Sequence, residues 1–358
     1  MKQKPMDRGP QGRAGGASQE ASRLVISLEP RNLETAPAAL AEAVTPLEAH
    51  YVRNHFPLPE IAEDHRIAVE GAVATPFELS PEALYERPWR SLAVTLECAG
   101  NGRSGMMPLP KGEVWGRGGV STALWSGVPL RDVLHEAGLR DDVCEILVEG
   151  ADAGAPEEAP GQVRFARSLP IDKALDPETL LALEMNQEPL PREHGAPVRL
   201  VVPGWYGMAS VKWVTRITAL TRPFEGYFQR ERYVYDDTGQ PVTQMRVKSL
   251  IINPSAGAVV PRGRVRVEGW AWSGSGSVTS VEVATDGGED WQPAQLEPAL
   301  SPYRWSRFFI DVELPLPGRH ALRARARDEA GDVQPDLPEW NRHGYGNNAI
   351  WPVLIQVV

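Results

Sequence analysis

Residues 66–80, RIAVEGAVATPFELS, alternate apolar and polar side chains and then reach a proline. Period-two patterning of this kind predicts a half-buried strand followed by a turn. In SPEALYE, which overlaps its end, the spacing predicts a helix with Ser80 as N-cap and Pro81 at the first helical position. In VPLRDVLHEAGL (128–139), Leu130, Val133 and Leu134 recur at helical spacing, and Gly138 suits the C-terminal stop. CEILVEGAD, APVRLVVPG and SVKWVTRITALT read as strands or strand ends. These elements mix without a steady βαβ rhythm, which predicts an α+β domain rather than a doubly wound sheet.

From SLIINPSAG onward the texture changes, and no segment carries a helical period. RVRVEGWAWS, SVTSVEVATDGGEDWQPAQL, RWSRFFIDVELP, HALRARARDEAG and WPVLIQVV all read as strands, with Asp286-Gly287-Gly288 as a hairpin turn. This half is predicted to be a β-sandwich. The resulting division is a polar, Gly-rich disordered tail (1–22), an α+β domain (23–246) and a sandwich (247–358). Trp270 and Trp272 lie on one face of a strand, a face assigned to a core rather than to an interface.

Length and composition agree with two folded units: the chain has 358 residues, 42% of them hydrophobic and 23% charged. A net charge of −10 argues against nucleic acid as a partner. No apolar run is long enough for a membrane span. The N-terminus has neither an apolar h-region nor a twin arginine, so the sequence as it stands predicts a cytoplasmic protein, or a periplasmic one if the true start or processing differs. Its two cysteines, Cys98 and Cys144, offer no disulfide framework, and without C-x-x-C there is no signature of an iron–sulfur cluster or a c-type haem.

The chemistry concentrates in LECAGNGRSGM (96–106). Gly100, Gly102 and Gly105 spell G-x-G-x-x-G, but the MMPLPKG that follows places two prolines where a dinucleotide loop requires a helix. Cys98 then has two readings, a buried small residue at a strand end or a metal ligand; Cys144, inside VCEILV, is assigned to the first class. Arg103 follows Cys98 closely and is read as lowering its thiol pKa. One thiolate cannot hold a metal alone, and the seven histidines offer no zinc-type spacing, so a cofactor would have to complete the coordination.

Leu96-Glu97-Cys98-Ala99-Gly100-Asn101-Gly102-Arg103 resembles the molybdenum-binding loop of the sulfite oxidase family. Further segments resemble that family's in the family's order: YVRNHFPLP (51–59), KGEVW (111–115), WSGVPLRDVL, EMNQEPLPREHGAPVRLVVPGWYGMASVKW (184–213) and YFQRERY (227–233). The resemblance implies a mixed α/β molybdopterin-binding domain followed by an immunoglobulin-like dimerisation domain. It implies one molybdenum per chain, held by pyranopterin dithiolene sulfurs and by Cys98, with no haem or iron–sulfur cluster. Tyr51, Val52, Arg53, Asn54, His55, Lys111, Asp152, His194, Arg199, Ser210, Val211 and Lys212 would bind the cofactor. Arg53 and Arg103 would face substrate, and Tyr233 would act beside the metal in coupling proton and electron transfer.

The implied activity is oxidation of sulfite to sulfate in a homodimer, with electrons passing to a separate acceptor such as a cytochrome c, or to oxygen. Related reductases acting on nitrate or a sulfoxide are the alternative, and a non-catalytic cofactor-binding module is a third reading. One departure bears on substrate: where many family members carry an arginine in W-N-x-R-G, this chain reads Trp340-Asn341-Arg342-His343-Gly344.

Overall fold

The computed structural model describes residues 22–159, 161–235, 239–285, 290–299 and 301–358. The chain is strand-rich. Its α-helices among the described residues are short: Pro81–Tyr85, Leu130–Ala137 and Ile171–Ala174. The predicted caps form as expected. Ser80 Oγ accepts from the Ala83 N–H at 3.2 Å, and Gly138 closes its helix in the left-handed conformation at φ 69°. The predicted Asp286-Gly287-Gly288 turn and nearly all of the predicted tail lie outside the described residues.

Two sheets build the first half. One has the order Glu188–Pro189, Leu180–Met185, Val120–Pro129, Arg90–Glu97, with Arg199–Val201 also paired to Leu180–Met185. The other has the order Phe77–Leu79, Ile67–Gly71, Val214–Leu220, Glu145–Gly154, Val163–Pro170. Val214–Leu220 runs parallel to Ile67–Gly71 and antiparallel to Glu145–Gly154. Helix Leu130–Ala137 turns Leu130, Val133, Leu134 and Ala137 into the core and its polar residues outward.

From Lys248 onward two further sheets face each other. One contains Lys248–Asn253, Gly263–Trp272 and Ser306–Leu314; the other contains Val353–Val357, Gly318–Asp328 and Val278–Thr285. Alternating inward residues such as Val267, Val283, Phe308, Leu322 and Ile355 form the sandwich core.

Trp270 and Trp272 are core residues, but they belong to the larger core of the first half. The Trp270 indole N–H donates to Leu40 O at 2.6 Å, and that of Trp272 donates to Glu97 Oε2 at 2.9 Å. Trp270 also stacks on Trp305 at 5.1 Å between ring centroids. The two halves are thus joined by buried aromatic side chains whose polar ends are satisfied.

Candidate functional site

Strand Arg90–Glu97 ends at the candidate loop. Cys98 is held there by its own N–H donating to Gly119 O at 2.8 Å, and Gly102 turns the chain at φ 87°. The Cys98 side chain faces an inner cavity. Ten of the residues singled out from the sequence line it together: Tyr51, Arg53, His55, Cys98, Asp152, His194, Arg199, Ser210, Lys212 and Tyr233.

Arg53, His55 and Tyr233 form one hydrogen-bonded chain. Arg53 Nη2 lies 3.1 Å from His55 Nδ1, and His55 Nε2 lies 2.7 Å from Tyr233 Oη. Arginine only donates, so His55 Nδ1 accepts, its proton sits on Nε2, and Nε2–H donates to the phenol oxygen. The Tyr233 proton is left to point elsewhere. Burial and the Arg53 charge push the His55 pKa well down, which keeps the ring neutral. Burial pushes the Tyr233 phenol up, against the opposing pull of Arg53, and it stays protonated near neutral pH. Tyr345 stacks behind Tyr233 at 5.1 Å, and Arg167 lies over the Tyr233 ring at 5.5 Å.

The thiol corrects the expectation drawn from Arg103. Arg53 and Arg103 do pull the Cys98 pKa down, but burial outweighs both and raises it. Without a metal the buried side chain holds its proton.

A second group of residues contributes polar atoms that the chain itself leaves unpaired. His50 Nε2, Asp152 Oδ1, His194 Nε2 and Arg199 Nε are buried without a hydrogen-bond partner. Unpaired polar atoms are costly inside a protein, so several on one cavity wall indicate a polar ligand that completes them. Arg199 donates to His194 O at 3.1 Å and lies over the Trp125 ring at 5.0 Å. Lys212 donates to Glu193 O at 3.0 Å and to Asn54 Oδ1. Burial lowers the Lys212 pKa, and it raises that of Asp152 to about 6 despite the pull of Lys212. Gly207 is required sterically, since a Cβ there would fall 2.4 Å from the Tyr51 hydroxyl.

Five predicted residues do not line the inner cavity. Val52 and Val211 are core side chains whose backbones pair with Leu33 and with Leu200. Asn54 braces Lys212 from behind the wall. Arg103 is buried but anchored to backbone, donating from Nε to His343 O at 2.9 Å and from Nη1 to Glu113 O. Lys111 stands on the outer rim with an 84% exposed side chain, 3.6 Å from the Glu158 carboxylate.

Sequence reasoning missed His50, Phe165, Glu193 and Met208 on the wall. His50, which directly precedes the Tyr51 segment, and Glu193 and Met208, which lie inside the long 184–213 block, could have been found there; Phe165 carried no signal.

The buried histidines predict a pH dependence. His50 is held down to about 3 from an ordinary value of 6.5, chiefly by burial, and His55 and His194 are also lowered by burial. The unfolded chain therefore binds more protons than the folded one once pH drops below 6.5. Their stabilising contribution is complete above that pH and is lost as pH falls toward the folded values. Thermal melts of the cofactor-free protein should fall between pH 6.5 and 4, and His50→Gln should make that fall shallower; an equal slope in both would contradict this.

Residues 55–228 match the oxidoreductase molybdopterin binding domain, and residues 240–358 match the Mo-co oxidoreductase dimerisation domain. The chain is 36% identical over 362 residues to mitochondrial sulfite oxidase of Mus musculus, covering 93% of this chain and 65% of that protein. It is 35% identical over 359 residues to sulfite oxidase of Gallus gallus, covering 92% of this chain and 77% of the relative. The chain thus spans less than two thirds of the length of the mouse protein. Among solved structures, the sulfane dehydrogenase SoxCD from Paracoccus pantotrophus superposes with a TM-score of 0.81 at 29% identity, covering 97% of this chain and 92% of that one.

Proposed function

The chain belongs to the sulfite oxidase family of molybdopterin oxidoreductases, and on that premise we propose that it oxidises sulfite to sulfate in the inner cavity. The observation that carries this reading is the meeting of Cys98 with the unpaired buried atoms of His50, Asp152, His194 and Arg199 on one cavity wall. A soft thiolate donor and a set of polar contacts fit a metal carried by a pterin better than a metal alone, and among the described residues no cluster of His, Cys, Asp and Glu could hold an ion by itself.

When bound, the molybdenum–pterin cofactor supplies oxygen-atom transfer to sulfur and takes up two electrons. Cys98 would ligate the metal as a thiolate, giving up the proton that burial otherwise retains, and Arg53 and Arg103 would favour that loss. Arg199, Lys212 and Ser210 would hold the pterin and its phosphate, with His50 and His194 as neutral hydrogen-bond partners. Arg53 and Arg103 would draw in the oxyanion. Tyr233, oriented by His55, would hydrogen-bond to substrate oxygen and pass its proton during turnover.

Tyr233→Phe is therefore expected to lower kcat about a hundredfold at unchanged molybdenum content. An unchanged kcat would remove Tyr233 from the chemistry. Electrons would leave to a separate protein such as a cytochrome c, or to oxygen, and the sandwich would join two copies of the chain.

Turnover assays discriminate substrate. Sulfite with ferricyanide as acceptor should give rapid turnover. Reduction of nitrate or methionine sulfoxide by a reduced viologen, without sulfite activity, would replace sulfite in this reading.

A further inference from the structure

Two outer cavities open beside the inner one. The first shares His55 with the inner cavity, and both share Lys111, Glu158 and Tyr227, so together they form a vestibule. Arg232 lines this vestibule at its inner end. It is the last residue of the turn Phe228–Arg232 and immediately precedes Tyr233.

Three guanidinium groups converge at the neck. Arg53 donates to His55 Nδ1 at 3.1 Å. Arg103 and Arg232 are brought together by His343, whose backbone carbonyl accepts from Arg103 Nε at 2.9 Å and whose Nδ1 lies 3.2 Å from Arg232 Nη1. Among the described residues no carboxylate lies within 4.0 Å of Arg53 or Arg103. Arg232 has one such neighbour, Glu158, at 3.8 Å. Glu158 is half-exposed and also faces Lys111 at 3.6 Å. Long, solvent-facing contacts of this kind are weak. Clustered like charges repel unless an anion joins them, and a compact oxyanion offers a planar arginine fork a better partner than a distant carboxylate.

We propose that Arg232 binds the substrate oxyanion at the neck between vestibule and inner cavity, and that Glu158 is an internal anion which the incoming oxyanion displaces from it. Arg232 is thus a substrate-binding residue, and Glu158 sets how readily the site opens to small dianions. The identity of the dianion as sulfite rests on the proposed function; the anion site does not.

The test compares wild type, Arg232→Gln and Glu158→Gln as holoenzymes at fixed ionic strength, measuring KM and kcat for sulfite and inhibition by sulfate. Arg232→Gln should raise the KM and the sulfate inhibition constant about tenfold, the loss expected for one charge-assisted hydrogen bond, with kcat changed far less. Glu158→Gln should lower both constants. The opposite sign separates displacement from a structural role, and it decides the matter even if Arg232→Gln fails to fold. Unchanged constants in either variant, or weakening in both, would overturn the proposal. If the holoenzyme does not oxidise sulfite, the substrate reading fails while the site is still decided by calorimetric titration with sulfate: tighter binding in Glu158→Gln supports it, and unchanged binding overturns it.

Discussion

Cys98→Ser is expected to abolish measurable sulfite turnover, a loss well beyond the roughly 10- to 100-fold that removal of a metal's outer partners costs. The side chain stands at the end of strand Arg90–Glu97 with its backbone fixed to Gly119, so it cannot be replaced from a neighbouring position. Serine keeps the size and position of the side chain but substitutes a hard oxygen donor, whose pKa is too high to match a soft thiolate ligand. Because the native thiol is buried and protonated in the absence of metal, the substitution should leave the fold of the cofactor-free chain almost untouched. Melting temperatures measured beside turnover check this: lost activity at unchanged stability is the expected pair. Retained activity would return Cys98 to the class of ordinary buried cysteines.

The second large effect is on stability. Lys248→Met should cost about 3–5 kcal/mol, because removing one partner strands a buried charge. Lys248 Nζ donates to Glu97 Oε1 at 2.8 Å, to Asn347 O at 2.7 Å and to Asn101 O at 3.3 Å. Glu97, only 1% exposed, also accepts from Asn101 Nδ2 and from the Trp272 indole, both at 2.9 Å. One ion pair therefore ties the first strand of the sandwich to the residue next to Cys98. Denaturant titration reads the loss. Adding Glu97→Gln should recover part of it, since the stranded charge is then gone; a double variant no better than Lys248→Met would show that packing rather than charge carries the effect.

Local order in this protein was readable from the sequence wherever local forces decide it. The helix Leu130–Ala137 follows from its apolar spacing and Gly138, and the Ser80 cap follows from side-chain chemistry next to Pro81. The sandwich strands follow from period-two patterning, with inward residues such as Val267 and Leu322 in the core. Long-range outcomes were not readable in that way. The Trp270 face reads as core, but nothing local shows that the core belongs to the other half of the chain.

The same limit governed the site. Motif order brought Cys98, Arg53, His55 and Tyr233 into view, yet the tautomer-setting contact of Arg53 with His55 exists only once the backbone is folded. The expected depression of the Cys98 pKa failed because nearness to Arg103 is visible in sequence and the desolvation that outweighs it is not. Lys111 sits within a matching motif, but its side chain faces the vestibule rather than the inner cavity.

The central claim is that Cys98 supplies a ligand to a molybdenum carried by a pterin in the inner cavity. Molybdenum content and the metal–sulfur shell, measured by mass spectrometry and X-ray absorption on wild type and Cys98→Ser from a host that makes the cofactor, test it most directly. The expected result is about one molybdenum per chain in wild type, with a sulfur ligand missing from whatever metal the variant retains. A wild-type protein without molybdenum, or a sulfur shell identical in the two proteins, would contradict it.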